Sequence, residues 1–282
     1  MSDIMSGEVS SVPLVRLSKL EINRLRKARE KIYFVLSTVI GCLLWMAFFG
    51  NLSGLLTKWN PFSPTNGVLS IYVLIFVIYL VITNLIFKAY LFGNGVIVQS
   101  QQFPHVHRLV SESVQVLGMR KEPLVFILPG RGVLNAFAVK IFRTRYVVLH
   151  AEVVDFALKR GRLDELRFII THELAHHALS HTSSWRYYLL LPSFMTVFLP
   201  LALSRAREYS CDRIATVVVK DQLNSARALL MLAHGSIALA DEADISAFIE
   251  QDDRVPFLTG WFLEVFSTHP RLTRRVMNVM AG

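Results

Sequence analysis

Two long apolar runs constrain this chain more than any other feature: residues 32–49, without a charge, and residues 68–92, with only Lys88. As a helix the first run would rise about 27 Å at 1.5 Å per residue, close to the thickness of a bilayer's hydrocarbon core. Lys88 stands near the end of the second run, where its stem can snorkel to the interface. Together the runs account for an apolar fraction of 53%, above the usual soluble range. The first run begins too late, is too long and lacks a small-residue cleavage site, which argues against a removed signal peptide.

The net charge of +9 must be located before it is read. Arg16, Lys19, Arg24, Arg26, Lys27, Arg29 and Lys31 crowd ahead of the first run against only Glu21 and Glu30. Such a cluster is held on the cytoplasmic side and attracted to anionic headgroups, so the expected partner is a lipid bilayer and not nucleic acid, for which no module is visible. Residues 50–67 are poor in charge and read as an external loop, which makes residues 32–92 a transmembrane hairpin with both ends in the cytoplasm. Residues 1–13 lack periodicity and read as disordered. Cys42 and Cys211 are the only cysteines and stand in unrelated segments, which points to a reducing compartment.

From Gln101 the pattern becomes that of a folded domain. Phe103, Val106, Val110, Val114 and Leu117 recur at helical spacing, and Gly118 supplies a stop. Residues 124–128, 134–139 and 146–149 read as strands of a small antiparallel sheet. Residues 152–158 read as a short helix broken at Gly161, and a further helix starts near Asp164. Residues 187–203 are apolar but carry Pro192 and Pro200. Residues 204–219 and 222–240 look helical, and the chain closes through His269-Pro270 and the basic pair Arg274 and Arg275.

Within the helical run 163–181 lies His172-Glu173-Leu174-Ala175-His176. Four residues is just over one helical turn, so the two imidazoles share a face and can share one zinc ion. Glu173, rotated about 100° from His172, falls beside the metal, where a carboxylate can take a proton from water. Chance produces this spacing in about one such chain in a hundred, so the context has to carry the assignment. Leu179 and Thr182 replace the glycine and histidine of the metzincin extension, and on a continuing helix His181 would point away from His172. The remaining zincin pattern needs a glutamate from a later helix, with an acidic residue one turn on. Glu208 and Asp212 meet it, Glu208 as third ligand and Asp212 holding the far nitrogen of a ligand histidine. A single crossing of the bilayer by residues 187–203 would separate Glu208 from His176, so this stretch is expected not to span.

His-Glu-Leu-Ala-His, Ser204-Arg205-Ala206-Arg207-Glu208-Tyr209 with Asp212, Asn135-Ala136-Phe137-Ala138 and Thr268-His269-Pro270 together resemble the HtpX-like membrane zinc metallopeptidases, related to the CAAX prenyl endopeptidases. The resemblance covers the chain from about residue 101 to its end. It implies an α+β, mainly helical zincin-type metallopeptidase domain behind the hairpin, one Zn2+ held by His172, His176 and Glu208, and Glu173 as the catalytic base. It also implies protein or peptide substrates, in membrane or misfolded proteins, and a bacterial inner-membrane location with a cytoplasmic active site. Cys211 stands where such proteins usually carry alanine, and this chain has fewer spans.

The reaction so implied is peptide-bond hydrolysis. His269, Tyr209 and Arg274 are candidate donors to the oxyanion, with His269 first, and residues 135–138 are a candidate strand for pairing with an extended substrate. Two other readings share the sequence: a scaffold or chaperone-like binder with a structural zinc, and a CAAX-type endopeptidase. Glu173 separates the first of these, since a structural site needs no carboxylate there. Substrate identity and oligomeric state leave no mark in the sequence.

Overall fold

The computed structural model describes residues 15–56, 64–234 and 242–282. The expectations for residues 1–13, for much of the loop at 50–67 and for the end of the helix at 222–240 lie outside the described residues. Two helices, α2 (Ala28–Leu56) and α3 (Pro64–Asn94), contain apolar stretches long enough to cross a membrane; that of α3 has no buried residue and that of α2 only a few. A soluble protein's long apolar helix is buried in its core; here Ile71, Ile75 and Ile86 face outwards.

The rest is mainly helical, around a four-stranded sheet of β1 (Val96–Ile97), β2 (Leu124–Leu128), β3 (Ala136–Ile141) and β4 (Thr144–His150) in the order β1-β2-β4-β3. The sheet is mixed and not antiparallel as the sequence suggested. β3 and β4 form a hairpin through Phe142, which has φ 51°, but β2 pairs with β4 in parallel, Leu124 opposite Tyr146 and Leu128 opposite His150. Strand periodicity reports which face of a strand is buried and says nothing of the neighbour's direction. The consequence is that β3 becomes an outer strand.

Helices α4 (Pro104–Val116), α5 (Ala151–Lys159) and α6 (Leu163–Ala178) pack beside the sheet, and α6 runs through the core, with Leu166, Phe168, Ile170 and Leu174 buried. Ser113 and Thr171 meet at 2.9 Å where α4 meets α6, so both hydroxyls are satisfied inside the core. The chain continues through α7 (Ser184–Leu190), a 3-10 turn (Leu191–Thr196), α8 (Phe198–Val219) and α9 (Gln222–His234). It ends with α10 (Ile245–Glu250), α11 (Phe257–Val265) and α12 (Leu272–Met280). The ambiguous stretch 187–203 is therefore bent, with Pro192 opening the 3-10 turn and Val197 at φ 51°.

The basic segment ahead of α2 is not free of the domain. Helix α1 (Lys19–Leu25) opens on a Ser18–Glu21 capping box and buries Ile22 in the main core. The Leu17 amide donates to the Val116 carbonyl at 2.8 Å, and the Lys27 amide to Ser210 Oγ at 3.0 Å.

Candidate metal centre

Helix α6 supplies His172, Glu173 and His176, and α8 lies against it so that Glu208 and Asp212 come to the same place. The two Nε2 atoms of His172 and His176 stand 3.3 Å apart. Glu208 completes the triangle, with Oε2 3.5 Å from His172 Nε2 and Oε1 3.4 Å from His176 Nε2. Zinc bonded to nitrogen and oxygen at about 2.0–2.2 Å in a tetrahedron separates its ligand atoms by roughly 3.4 Å, so this donor set fits zinc in type and in spacing. The chain thus brings together the three ligands that the sequence nominated.

Each of these candidate ligands is held from behind. Nδ1 of His172 faces Asp212 Oδ1 at 2.9 Å, leaving Nε2 for the metal. Asp212 is fully buried and is gripped by Arg275 from α12, Nε to Oδ2 at 2.8 Å and Nη2 to Oδ1 at 2.7 Å. Nη1 of the same arginine lies 3.3 Å from Glu208 Oε2. Burial opposes charge throughout this group, but the carboxylates of Asp212 and Glu208 outweigh it and raise metal-free His172 to about 10. Against the same burial, Arg275 and His172 hold Asp212 below the usual carboxylate range, and the two histidines and Arg275 hold Glu208 well below it.

His176 is held differently. The helix ends at Ala178 and not at 181, because Ser180 at φ 60° turns the chain back. The His181 amide then donates to the His176 carbonyl at 2.8 Å and the Ser180 amide to the His177 carbonyl at 3.1 Å, the paired bonds of a Schellman end. His181 therefore does not lie on an opposite face. Its Nδ1 is 3.1 Å from His176 Nδ1, and its Nε2 is 3.0 Å from Glu30 Oε1 at the foot of α2. With Nε2–H donating to Glu30, His181 Nδ1 accepts from His176 Nδ1–H, which leaves His176 Nε2 with its lone pair towards the metal position. Cys211 Sγ lies 3.7 Å from His181 Nδ1, and His176, His181 and Cys211 form a second group whose candidate ligand atoms lie within 4.8 Å of one another; burial pushes the Cys211 thiol well up.

The metal position opens into a cleft of about 240 Å³ lined by Asn135 to Ala138, Glu173, His269 and Arg275 among others. Asn135 precedes and residues 136–138 open β3, the outer strand, whose far side pairs with no other strand among the described residues. Of the three nominated oxyanion donors, His269 reaches the cleft, its Nε2 3.9 Å from Glu208 Oε2. Tyr209 and Arg274 line a separate cavity, where Arg274 pairs with Glu264 and Asp252. Sequence reasoning assigned Arg275 and Glu30 no part in the site and set His181 on the far face of the helix. Arg275 could be seen only as half of a basic pair, and nothing in the sequence distinguishes it from Arg274.

Residues 100–201 and 186–281 match the model of peptidase family M48. The plastoglobule-localized metallopeptidase 48 of the Arabidopsis thaliana chloroplast is 24% identical over 190 residues, covering 61% of this chain and 53% of that protein. The chain thus spans about half the length of the curated relative it matches. A crystal structure of S. mikatae Ste24p superposes with a TM-score of 0.47 at 16% identity, covering 88% of this chain and 66% of that one.

Proposed function

Because the chain belongs to peptidase family M48, whose members are zinc-dependent metallopeptidases, we propose that it is a membrane-anchored zinc endopeptidase. In this reading its site lies on the side of the bilayer that carries the basic segment, and its substrates are membrane or misfolded proteins. The observation that carries the reading is the triangle of His172, His176 and Glu208 ligand atoms with Glu173 on the cleft wall beside it.

Zinc held by these three side chains would supply Lewis acidity, polarising the scissile carbonyl and acidifying the attacking water. Glu173 takes the proton from that water as the carbonyl is attacked and returns it to the leaving amine. His269 donates to the oxygen on which charge develops, from the side of the cleft where its ring is largely exposed. The free edge of β3 holds the substrate as an added strand, through backbone hydrogen bonds that read extended conformation more than side-chain identity. That mode suits unfolded segments of varied sequence.

The test pairs metal analysis with cleavage of an unfolded protein such as casein. The Glu173→Gln variant should bind zinc as the parent does and lose cleavage by about a hundredfold or more. Cleavage unchanged by this substitution, or a purified chain that binds no zinc, would overturn the reading.

A further inference from the structure

Helix α11 (Phe257–Val265) is built inside out. Gly260 is its buried residue, fitted against Val255, and Glu264 turns inwards to Arg271 and Arg274. Phe257 is 83% exposed and Leu258 70%, and Trp261, Phe262 and Leu263 point outwards with them. A helix in contact with water carries the opposite pattern. Among the described residues its apolar face touches other apolar side chains at one end, where Phe266 meets the Phe198 ring at 5.4 Å.

The depth of that contact follows from α2 and α8. The two helices are tied at Lys27 and Ser210, and α2 is tied again to α7 where Trp45 Nε1 donates to the Tyr188 carbonyl at 3.1 Å. At 1.5 Å per residue, Arg205 lies about 7.5 Å from Ser210, level with Ile32, where the charge-free run of α2 begins. Phe198 lies about 18 Å from Ser210, roughly 10 Å further into the level of that run. Arg205 Nη1 donates to the carbonyls of Val265 (3.1 Å) and Ser267 (2.7 Å), while Phe266 between them packs on Phe198. The C-terminal end of α11 therefore straddles the level at which the polar part of α2 gives way to its apolar part.

We propose that α11 is an interfacial membrane helix, whose outward face of Phe257, Leu258, Trp261, Phe262 and Leu263 lies in the headgroup–acyl boundary of the bilayer that α2 enters. The inference rests on the reading of α2 as a membrane span. The C-terminal end of α11 lies within about 10 Å of the start of the charge-free run of α2. That level matches interfacial helices, whose apolar face sinks about 5–10 Å into the headgroup–acyl boundary, and Trp261 is suited to it. Lipid is the occupant because the face continues, through Phe266 and Phe198, into the exposed apolar surface of the 3-10 turn, where Phe194 and Met195 also face outwards. Three residues after Phe266 the chain reaches His269 in the cleft, so the helix holds the mouth of the candidate site against the membrane surface and favours polypeptide segments leaving the bilayer.

The test is depth-dependent quenching in phosphatidylcholine–phosphatidylglycerol nanodiscs, using the full chain with Cys42→Ala; buried Cys211 stays unlabelled. An environment-sensitive fluorophore is placed through Leu258→Cys on α11, Leu43→Cys on the exposed side of α2, or Val217→Cys at the far end of α8. Lipid-borne quenchers should reduce the signal at 258 and at 43 several-fold more than at 217, a shallow quencher acting more on 258 and a deep one more on 43, while aqueous iodide quenches 217 most. Quenching at 43 without quenching at 258 overturns the proposal and leaves the α2 span intact. Protection of 258 from iodide without lipid quenching assigns the face to a protein partner and also overturns it. Absence of lipid quenching at 43 removes the span on which the inference rests.

Discussion

Replacing Arg275 with methionine tests the charge balance behind the candidate metal centre. Methionine keeps an unbranched, apolar stem of similar reach and removes the cation. Asp212, fully buried, then loses both of its guanidinium hydrogen bonds and Glu208 loses a cation 3.3 Å away. Breaking one side of a buried ion pair costs about 3–5 kcal/mol, here with His172 at 2.9 Å left as the remaining partner of Asp212. In a folded unit of this size 1 kcal/mol moves the midpoint by about 2–4 °C, so the thermal midpoint should fall by roughly 6–20 °C. Asp212 is also what orients His172, and loss of such support weakens metal binding by about 10–100-fold. Near-ultraviolet circular dichroism of detergent-solubilised, chelator-stripped protein measures the first effect, and zinc competition against a chelator the second. Arg275→Lys restores charge without the two-pronged geometry and should fall between the parent and Arg275→Met. A methionine variant whose midpoint lies within about 2 °C of the parent, with unchanged zinc affinity, would refute the reasoning.

Asp212→Asn should lower zinc affinity by about 10–100-fold while Glu173→Gln leaves it unchanged, a contrast that chelator competition reads directly. Metal-free His172, raised to about 10 by the two carboxylates despite burial, keeps its proton at neutral pH. Zinc must displace that proton, so binding at pH 7–9 should release one proton and tighten by about tenfold per pH unit; calorimetry in buffers of different ionisation enthalpy checks it. By the same sign, this histidine stabilises the metal-free fold fully below about pH 6.5 and progressively less as pH rises through about 10. His177 goes the other way. Burial outweighs the Tyr146 carbonyl at 2.9 Å and lowers it to about 4, so its contribution is complete above pH 6.5 and disappears as pH falls towards 4. That loss is about 3 kcal/mol, and a His177→Gln variant whose unfolding midpoint falls just as steeply over this range as the parent's would contradict it.

The helix ends show which local signals can be read. Three helices of this domain close with the same pair of Schellman hydrogen bonds. After α4 and α5 the left-handed residue is Gly118 or Gly161, and both stops were legible because glycine is the residue that takes positive φ without strain. After α6 it is Ser180, which carries no such signal. The sequence therefore let the helix run on to 181 and put His181 on the wrong side, when it supports His176. In the stretch 187–203 the prolines announced a bend, and the bend keeps His176 and Glu208 within reach of one another.

What the chain declares by itself is what neighbours within a turn or a run decide. The spacing of His172 and His176, the position of Glu173 beside them, the pairing of Glu208 with Asp212 one turn on, and the apolar stretches of α2 and α3 all arise from local geometry. Tertiary structure decided the rest: the parallel pairing of β2 with β4 that leaves β3 at the edge, the choice of Arg275 over Arg274, and the docking of the basic segment on the domain. The contacts responsible join residues far apart, 63 positions from Asp212 to Arg275 and 151 from Glu30 to His181. A side chain's type limits what it can bind, but only the folded chain selects which distant partner arrives, because that selection is made by the packing of whole helices.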